Sequence, residues 1–244
     1  MTRLLVLIAL VAPAALAHDF WIEPSTFQPA AATTITASLR VGEDFLGDPV
    51  PRNSALIDAF VVRDIASERP VPGVENRHPA GIVRVGNGTS VIHYRGKGSL
   101  LEQTPEKFAA FLFEEGLEHV ARASRRPHRE RFYRYAKTIV GRGPGFDTQF
   151  GDRLELVPLL DPRVSDRVCF RLLFEGRPLA NALVAAIARD DGRRFAARTD
   201  RDGKVAITLP PDGVWLVKST HLVAAPPSSG AEWESLWASV TFSR

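Results

Sequence analysis

The sequence predicts a mainly β protein built from two sandwich domains with a helical insert between them. Short alternating segments, separated by Gly, Pro, Asn and Asp, occupy most of the chain. An apolar fraction of 45% is enough for a substantial core. In one central stretch the apolar spacing becomes helical. We therefore predict an N-terminal β domain at 18–103, a helical segment and linker at 104–145, and a C-terminal sandwich at 146–244.

The first seventeen residues have the layout of a secretory signal peptide. Arg3 gives a positive start, an apolar run extends over 4–11, and Ala15 and Ala17 are the small residues read by a signal peptidase. The run is shorter than the ~20 residues of a membrane-spanning helix. We predict cleavage after Ala17, which gives a periplasmic chain without a membrane span.

The N-terminal domain contains four segments that predict strands, at 33–41, 55–63, 81–85 and 89–94. Apolar and polar residues alternate along them, so that one face of each strand is apolar. Turn-forming residues lie between the segments. This spacing is typical of a sandwich.

The helical segment begins at Thr104 and Pro105, a capping residue followed by a proline suited to the first turn. Apolar residues then follow at helical spacing over 108–117. We predict a second helix at 128–140, with its basic residues on the solvated face. The glycine-rich run 141–145 ends it and forms a linker.

The last third of the chain predicts strands at 153–158, 167–174, 182–189, 205–209 and 214–217. Their order, with glycine turns between them, reads GRPLANALV … TDRDGKVAITLP … GVWLV. This pattern resembles the transthyretin-like or carboxypeptidase-regulatory type of immunoglobulin-like sandwich, found in many exported proteins. The resemblance implies a sandwich of this type for the C-terminal domain.

Composition and the absence of known motifs exclude several classes of function. The formal net charge is only +3, and an exported chain does not meet nucleic acid, so we exclude that class of partner. The sequence has no phosphate-binding glycine loop, nucleophile elbow or zinc-binding helix motif. We therefore predict no catalytic residues. The single cysteine, Cys169, excludes an intramolecular disulfide.

Cleavage after Ala17 would make His18 the first residue of the mature chain. Its free amine and its Nδ1 can then chelate one metal ion, and a second imidazole would complete a planar set suited to Cu(II) or Ni(II). The amine is a usable ligand near neutral pH because its reference pKa is about 8. A cut two residues earlier would start the chain at Leu16, which is another tight chelate but an unfavourable cleavage site because of Pro13.

The second imidazole has few candidates. His221 follows the predicted strand 214–217, and His93 lies within another predicted strand. Asp19 and Glu23 would add oxygen ligands or orient an imidazole. We predict a metal site with His18, His221 and His93 as ligands and with the two carboxylates in an auxiliary role.

Five segments spread over the mature chain carry a family resemblance: AHDFWIEPSTF, VGEDFLGDP, KFAAFLFEEGLEHV … RERFYRYAKTIV, LELVPLLDP and EWESLWASVTF. Together they resemble a bacterial exported family of unknown function whose members are often described as the periplasmic component of cobalt or nickel uptake systems. The resemblance implies a soluble periplasmic protein associated with these metals. It also implies His18 and His221 as site residues, whereas His93 comes from the strand pattern alone.

Three functions follow from these observations, in order of preference. The first is a non-catalytic protein that binds Ni(II), Co(II) or Cu(II) and passes the ion to an inner-membrane metal transporter. The second is a structural or protein-interaction module of the cell envelope that binds no metal. The third is a copper enzyme, since an N-terminal histidine chelate also serves oxidative polysaccharide cleavage.

Overall fold

The computed structural model describes residues 18–165 and 167–244, so the predicted signal peptide lies outside the described residues. This part of the chain has seventeen strands, one α-helix and a 3-10 turn at Pro227–Ser229. The prediction of a mainly β, sandwich-type fold is confirmed. No helix within 18–165 or 167–244 is long and apolar enough to cross a membrane.

A central sheet of nine strands organises the molecule. Strand β8 (Ser99–Gln103) pairs with β9 inside this sheet, beside β7. The other eight strands follow one another across the sheet in the order β14 (Arg194–Arg198), β13 (Leu183–Ala188), β16 (Val214–Ala224), β17 (Trp233–Ser243), β9 (His128–Val140), β7 (Ser90–Gly96), β4 (Ile57–Asp64) and β5 (Glu68–Pro70).

Two smaller sheets cover opposite faces of the central sheet. The N-terminal sheet packs on the face that carries Ile92 and Ala136, and the C-terminal sheet packs on the face that carries Tyr135 and Ile139. The N-terminal sheet contains β1 (Asp19–Pro24), β2 (Thr34–Glu43), β3 (Leu46–Val50) and β6 (Gly81–Arg84). The C-terminal sheet contains β10 (Leu154–Pro158), β11 (Arg167–Phe174), β12 (Arg177–Pro178) and β15 (Lys204–Thr208).

The predicted helix at 128–140 was wrong, because this segment is the strand β9. It pairs antiparallel with β7 and parallel with β17, and it therefore joins the two halves of the central sheet. Residues 135–140 are all buried, since both faces of the strand are covered. A strand buried on both faces loses its apolar–polar alternation. Its apolar residues then mimic the spacing of a helix.

The predicted helix start at Thr104 is confirmed. The helix α1 covers Pro105–Glu114, and the Thr104 hydroxyl accepts a hydrogen bond from the Lys107 backbone N–H at 3.4 Å. Its buried side chains pack on the same face of the central sheet as the N-terminal sheet, against Phe132, Leu222 and Trp237. The last turn of α1 therefore lies beside the start of β1.

Strand β1 is fastened to the central sheet by two buried hydroxyls of β17. Ser239 Oγ donates to the Phe20 carbonyl at 2.7 Å, and Thr241 Oγ1 donates to the Ile22 carbonyl at 2.8 Å. These bonds satisfy carbonyl groups that would otherwise be buried without partners. They also hold the first described residues over β16 and β17.

A buried carboxylate on β9 provides a test of the packing between β9 and its neighbours β8 and β17. Glu130 is fully buried, and it accepts hydrogen bonds from Ser235 and from Gln103 Nε2, both neutral groups. Burial raises its pKa above the ordinary value, and these two hydrogen bonds only partly oppose the effect. The folded state therefore binds the proton more tightly than the unfolded chain does.

We expect the Glu130→Gln substitution to change how stability depends on pH. The unfolding free energy of the wild type should fall relative to the variant as pH rises above the ordinary glutamate pKa of about 4.3, until the raised pKa is passed. Urea unfolding between pH 4 and pH 8 measures this difference. Exposed Glu102→Gln is the matched control, and a wild-type-to-E130Q difference that is constant with pH would contradict the interpretation.

Candidate functional site

A cavity of about 230 Å³ opens where β1 begins, between the end of α1 and the strand β16. We call it the N-terminal cavity. Five carboxylates and only two permanent cations surround it, so its electrostatic potential is negative. Its lining residues are His18, Asp19, Glu43, Asp44, Glu114, Glu115, Arg194 and Lys218.

The floor of the cavity is a buried trio, Asp19, Glu115 and Lys218. Lys218 Nζ lies 2.5 Å from Asp19 Oδ1 and 2.7 Å from Glu115 Oε1. Thr220 Oγ1 donates to the other oxygen of Glu115 at 2.8 Å. All three side chains of the trio are less than 10% exposed. Three distant parts of the chain are thus joined by charged hydrogen bonds.

The trio carries one net negative charge when both carboxylates are ionised. Burial raises the pKa of Asp19 to about 6, although Lys218 opposes this rise. Burial also lowers the pKa of Lys218, but Glu115 and Asp19 outweigh it and leave that pKa above its ordinary value. Lys218 is therefore a cation throughout the physiological pH range.

His18 lies at the mouth of the cavity with its side chain 24% exposed. Its Nδ1 is 2.9 Å from Glu43 Oε1, and Glu43 itself is largely exposed. The imidazole is therefore accessible to solvent, and it lies beside a carboxylate oxygen that could also bind a metal ion. Its position follows from β1, because the next residue, Asp19, is paired with Gly42 of β2.

A tight turn between β2 and β3 places Glu43 and Asp44 beside His18. Asp44 and Phe45 have φ angles of 51° and 62°, the left-handed values of a two-residue hairpin turn. Such a conformation is unfavourable for phenylalanine. The Phe45 ring is buried against Trp21, with 5.3 Å between ring centroids, and this packing holds the turn in place.

The structure places His221 away from His18. Side chains alternate along β16, and His221 lies on the face opposite Lys218. Its ring contacts the edge of Phe174 at 4.7 Å between centroids. Burial lowers its pKa, and His119 adds to that effect.

His93 is also separate from the N-terminal cavity. It is 1% exposed on β7, its Nε2 lies 2.8 Å from Asp152 Oδ2, and its ring stacks on Phe150 at 4.0 Å. Glu23 is held by two guanidiniums, from Arg40 at 2.5 Å and Arg189 at 2.6 Å. Of the five predicted site residues, the structure brings only His18 and Asp19 together at one cavity.

Sequence reasoning did not find Glu43, Glu115 or Lys218. The acidic pairs in VGEDF and FEEG gave a weak signal, since each lies at a turn. No sequence signal identified Lys218, because a lone lysine in a strand is normally solvated. Within the described residues, no group of three or more His, Cys, Asp or Glu side chains is placed to hold a metal ion.

Residues 15–222 match the family described as a domain of unknown function, DUF4198. The chain belongs to this family. The matched range includes every residue that lines the N-terminal cavity, and also His93 and His221. No curated protein and no solved structure matches the chain.

Proposed function

We propose that this DUF4198 protein binds a divalent transition-metal ion, Ni(II), Co(II) or Cu(II), at the N-terminal cavity and delivers it in the periplasm without catalysis. The observation that supports this most is the His18 imidazole at the mouth of a cavity in which carboxylates outnumber cations. Imidazole nitrogen is a preferred ligand of these ions. The surrounding negative charge raises the local concentration of cations.

The ligands in this proposal come from the start of the mature chain and from the β2–β3 turn. Removal of the signal peptide after Ala17 would give His18 a free amine, which with Nδ1 forms a compact chelate. Glu43 would add an oxygen, since it already lies 2.9 Å from Nδ1 and is free to turn towards a shared ion. Neither His221 nor His93 is among these ligands.

The exposure of the two side-chain ligands suits delivery. His18 is partly exposed and Glu43 is 70% exposed, so a partner can reach an ion held between them. The resemblance to periplasmic components of cobalt or nickel uptake systems favours an inner-membrane metal transporter as that partner. The buried trio would fix the backbone at residue 19, which keeps His18 at the cavity mouth.

The test is calorimetric titration of Ni(II), Co(II) and Cu(II) into the mature chain purified from the periplasm, after its intact mass has been measured. We expect a chain that starts at His18 and one bound ion. His18→Ala should weaken binding by at least about tenfold, which corresponds to about 1.4 kcal/mol, and Glu43→Gln should weaken it less. Exposed His119→Ala is the matched control and should bind like the wild type.

Lowering the pH should weaken binding, because protons compete with the metal ion for the nitrogen ligands. A chain that starts at His18 and binds none of the three ions would contradict the proposal. The second function, an interaction module of the cell envelope without metal, would then take its place.

A further inference from the structure

A second cleft lies on the opposite face of the central sheet from the N-terminal cavity. It has a volume of about 320 Å³ and lies where β4 begins and β7 ends, beside the middle of β9. We call it the tyrosine cleft. The lining residues that matter here are Asp58, Arg95, Lys97, Tyr133, Tyr135 and Arg153.

Tyr135 gives the cleft an unused hydrogen-bond donor. The residue is 5% exposed, and its ring belongs to the core between the central and C-terminal sheets. Its hydroxyl makes no hydrogen bond to any residue that the structure describes, and it is not among the fully buried polar atoms that lack a partner, so it reaches the open space of the cleft. Because the residue lines the cleft, the hydroxyl at the end of the ring is available to a ligand there.

The two arginines of the cleft are already engaged. Arg95 Nε donates to Asp152 Oδ1 at 2.7 Å, and Arg95 Nη2 donates to the Phe150 carbonyl at 2.7 Å. Arg153 Nη1 donates to Glu234 Oε2 at 2.8 Å. These guanidiniums form the walls of the cleft, but their charges are largely neutralised by their partners.

The side chains that hold Arg95 in place are buried. Asp152 is only 1% exposed and bridges Arg95 to the equally buried His93, through a contact of 2.8 Å to Nε2. A buried carboxylate is retained only when it is paired and hydrogen-bonded. This arrangement fixes the wall of the cleft before any ligand arrives, which lowers the entropy lost on binding.

Two charged groups lie at the rim of the cleft. Lys97 is exposed and makes no side-chain hydrogen bond or ion pair within the described part of the chain. Asp58 has a side chain that is 51% exposed, and it forms one long ion pair, 3.7 Å from Arg95 Nη1. An exposed ion pair of this kind contributes little free energy, so an ammonium group can compete for Asp58. The cleft therefore offers one unpaired cation, one weakly paired anion and one hydroxyl donor.

We propose that the tyrosine cleft binds a small zwitterion of the α-amino acid class. Lys97 and the Tyr135 hydroxyl receive the carboxylate, and Asp58 receives the ammonium group. A phosphate dianion fits less well, because only one cation is uncommitted. The volume lies at the lower end of the range for small-ligand pockets, which begins at about 300 Å³.

The test is titration of the mature, metal-free protein with each of the common L-amino acids in the presence of a chelator, followed by calorimetry. We expect at least one of them to bind. Lys97→Gln and Asp58→Asn should each weaken its binding by about tenfold, and Tyr135→Phe by about fivefold, as for a lost hydrogen bond of about 1 kcal/mol. Lys107→Gln and Tyr94→Phe, which lie outside the cleft, are the matched controls and should bind like the wild type.

The N-acetyl derivative of the bound amino acid separates the two charge contacts. It lacks the ammonium group, so it should bind more weakly to the wild type, and Asp58→Asn should weaken it no further. Absence of binding by every amino acid at about 10 mM, a concentration above the Kd of even weak complexes, would overturn the proposal. So would binding that survives both Lys97→Gln and Asp58→Asn. Neither result affects the metal proposal, because the chelator removes the ion and the cleft is on the other face.

Discussion

Replacing Lys218 by methionine is expected to lower the unfolding free energy by about 3–5 kcal/mol, the loss typical of breaking a buried ion pair from one side. Methionine keeps most of the aliphatic length but removes the ammonium group. Asp19 and Glu115 would then face each other in a buried site without their shared cation. Two uncompensated carboxylates in such a place are strongly unfavourable.

Urea unfolding at pH 7.5 with a chelator present measures this loss. The exposed Lys107→Met on α1 is the matched control, and it should change the unfolding free energy by less than about 0.5 kcal/mol. Adding Asp19→Asn and Glu115→Gln to Lys218→Met should restore much of the lost unfolding free energy, because the two unpaired carboxylates are then replaced by neutral amides. A loss below about 1 kcal/mol for Lys218→Met alone, the size of a surface ion pair, would contradict the buried trio.

Truncating Phe108 to alanine should also lower the unfolding free energy by about 3–5 kcal/mol, through lost apolar burial and the cavity left behind. Phe108 is 0% exposed on α1, and its ring stacks on His128 with 4.2 Å between centroids. It also lies against Trp233 at 6.3 Å. The side chain therefore joins α1 to both β9 and β17.

The same helix provides a matched control in Phe113, which is 74% exposed. Phe113→Ala removes an identical ring from solvent and should alter stability by less than about 0.5 kcal/mol in the same urea experiment. Similar losses for the two substitutions would mean that α1 does not pack on the central sheet through Phe108.

Local patterns were sufficient to predict much of the fold. The segments expected at 33–41, 55–63, 81–85 and 89–94 are β2, β4, β6 and β7 to within a few residues. The start of α1 followed from Thr104 and Pro105. These features depend on alternation, capping and turn chemistry, all of which act over a few residues.

The central position of β9 could not be predicted in this way. It pairs in parallel with β17, which lies far along the chain, and both of its faces are covered over residues 135–140. The burial pattern of such a strand is set by tertiary packing and not by its own sequence. Local periodicity therefore favoured a helix.

The candidate site was also only partly predictable from the sequence. His18 and Asp19 were predicted from the cleavage site, but Lys218 and Glu115 reach them only through the pairing of distant strands and the docking of α1. His221 was predicted to follow the strand 214–217, but β16 continues to Ala224 and includes it. It points to the opposite face from Lys218, because an odd separation along a strand reverses the direction of the side chain.

The central claim, a metal chelate at His18, is tested most directly by acetylating the terminal amine of the mature chain. Acetylation keeps the imidazole, Glu43 and the cavity but removes the amine as a ligand. Calorimetric titration of Ni(II), Co(II) and Cu(II) should show one tight site in the free mature chain and a loss of at least about tenfold in affinity after acetylation. Equal affinity in the two chains, or no binding in either, would contradict the chelate.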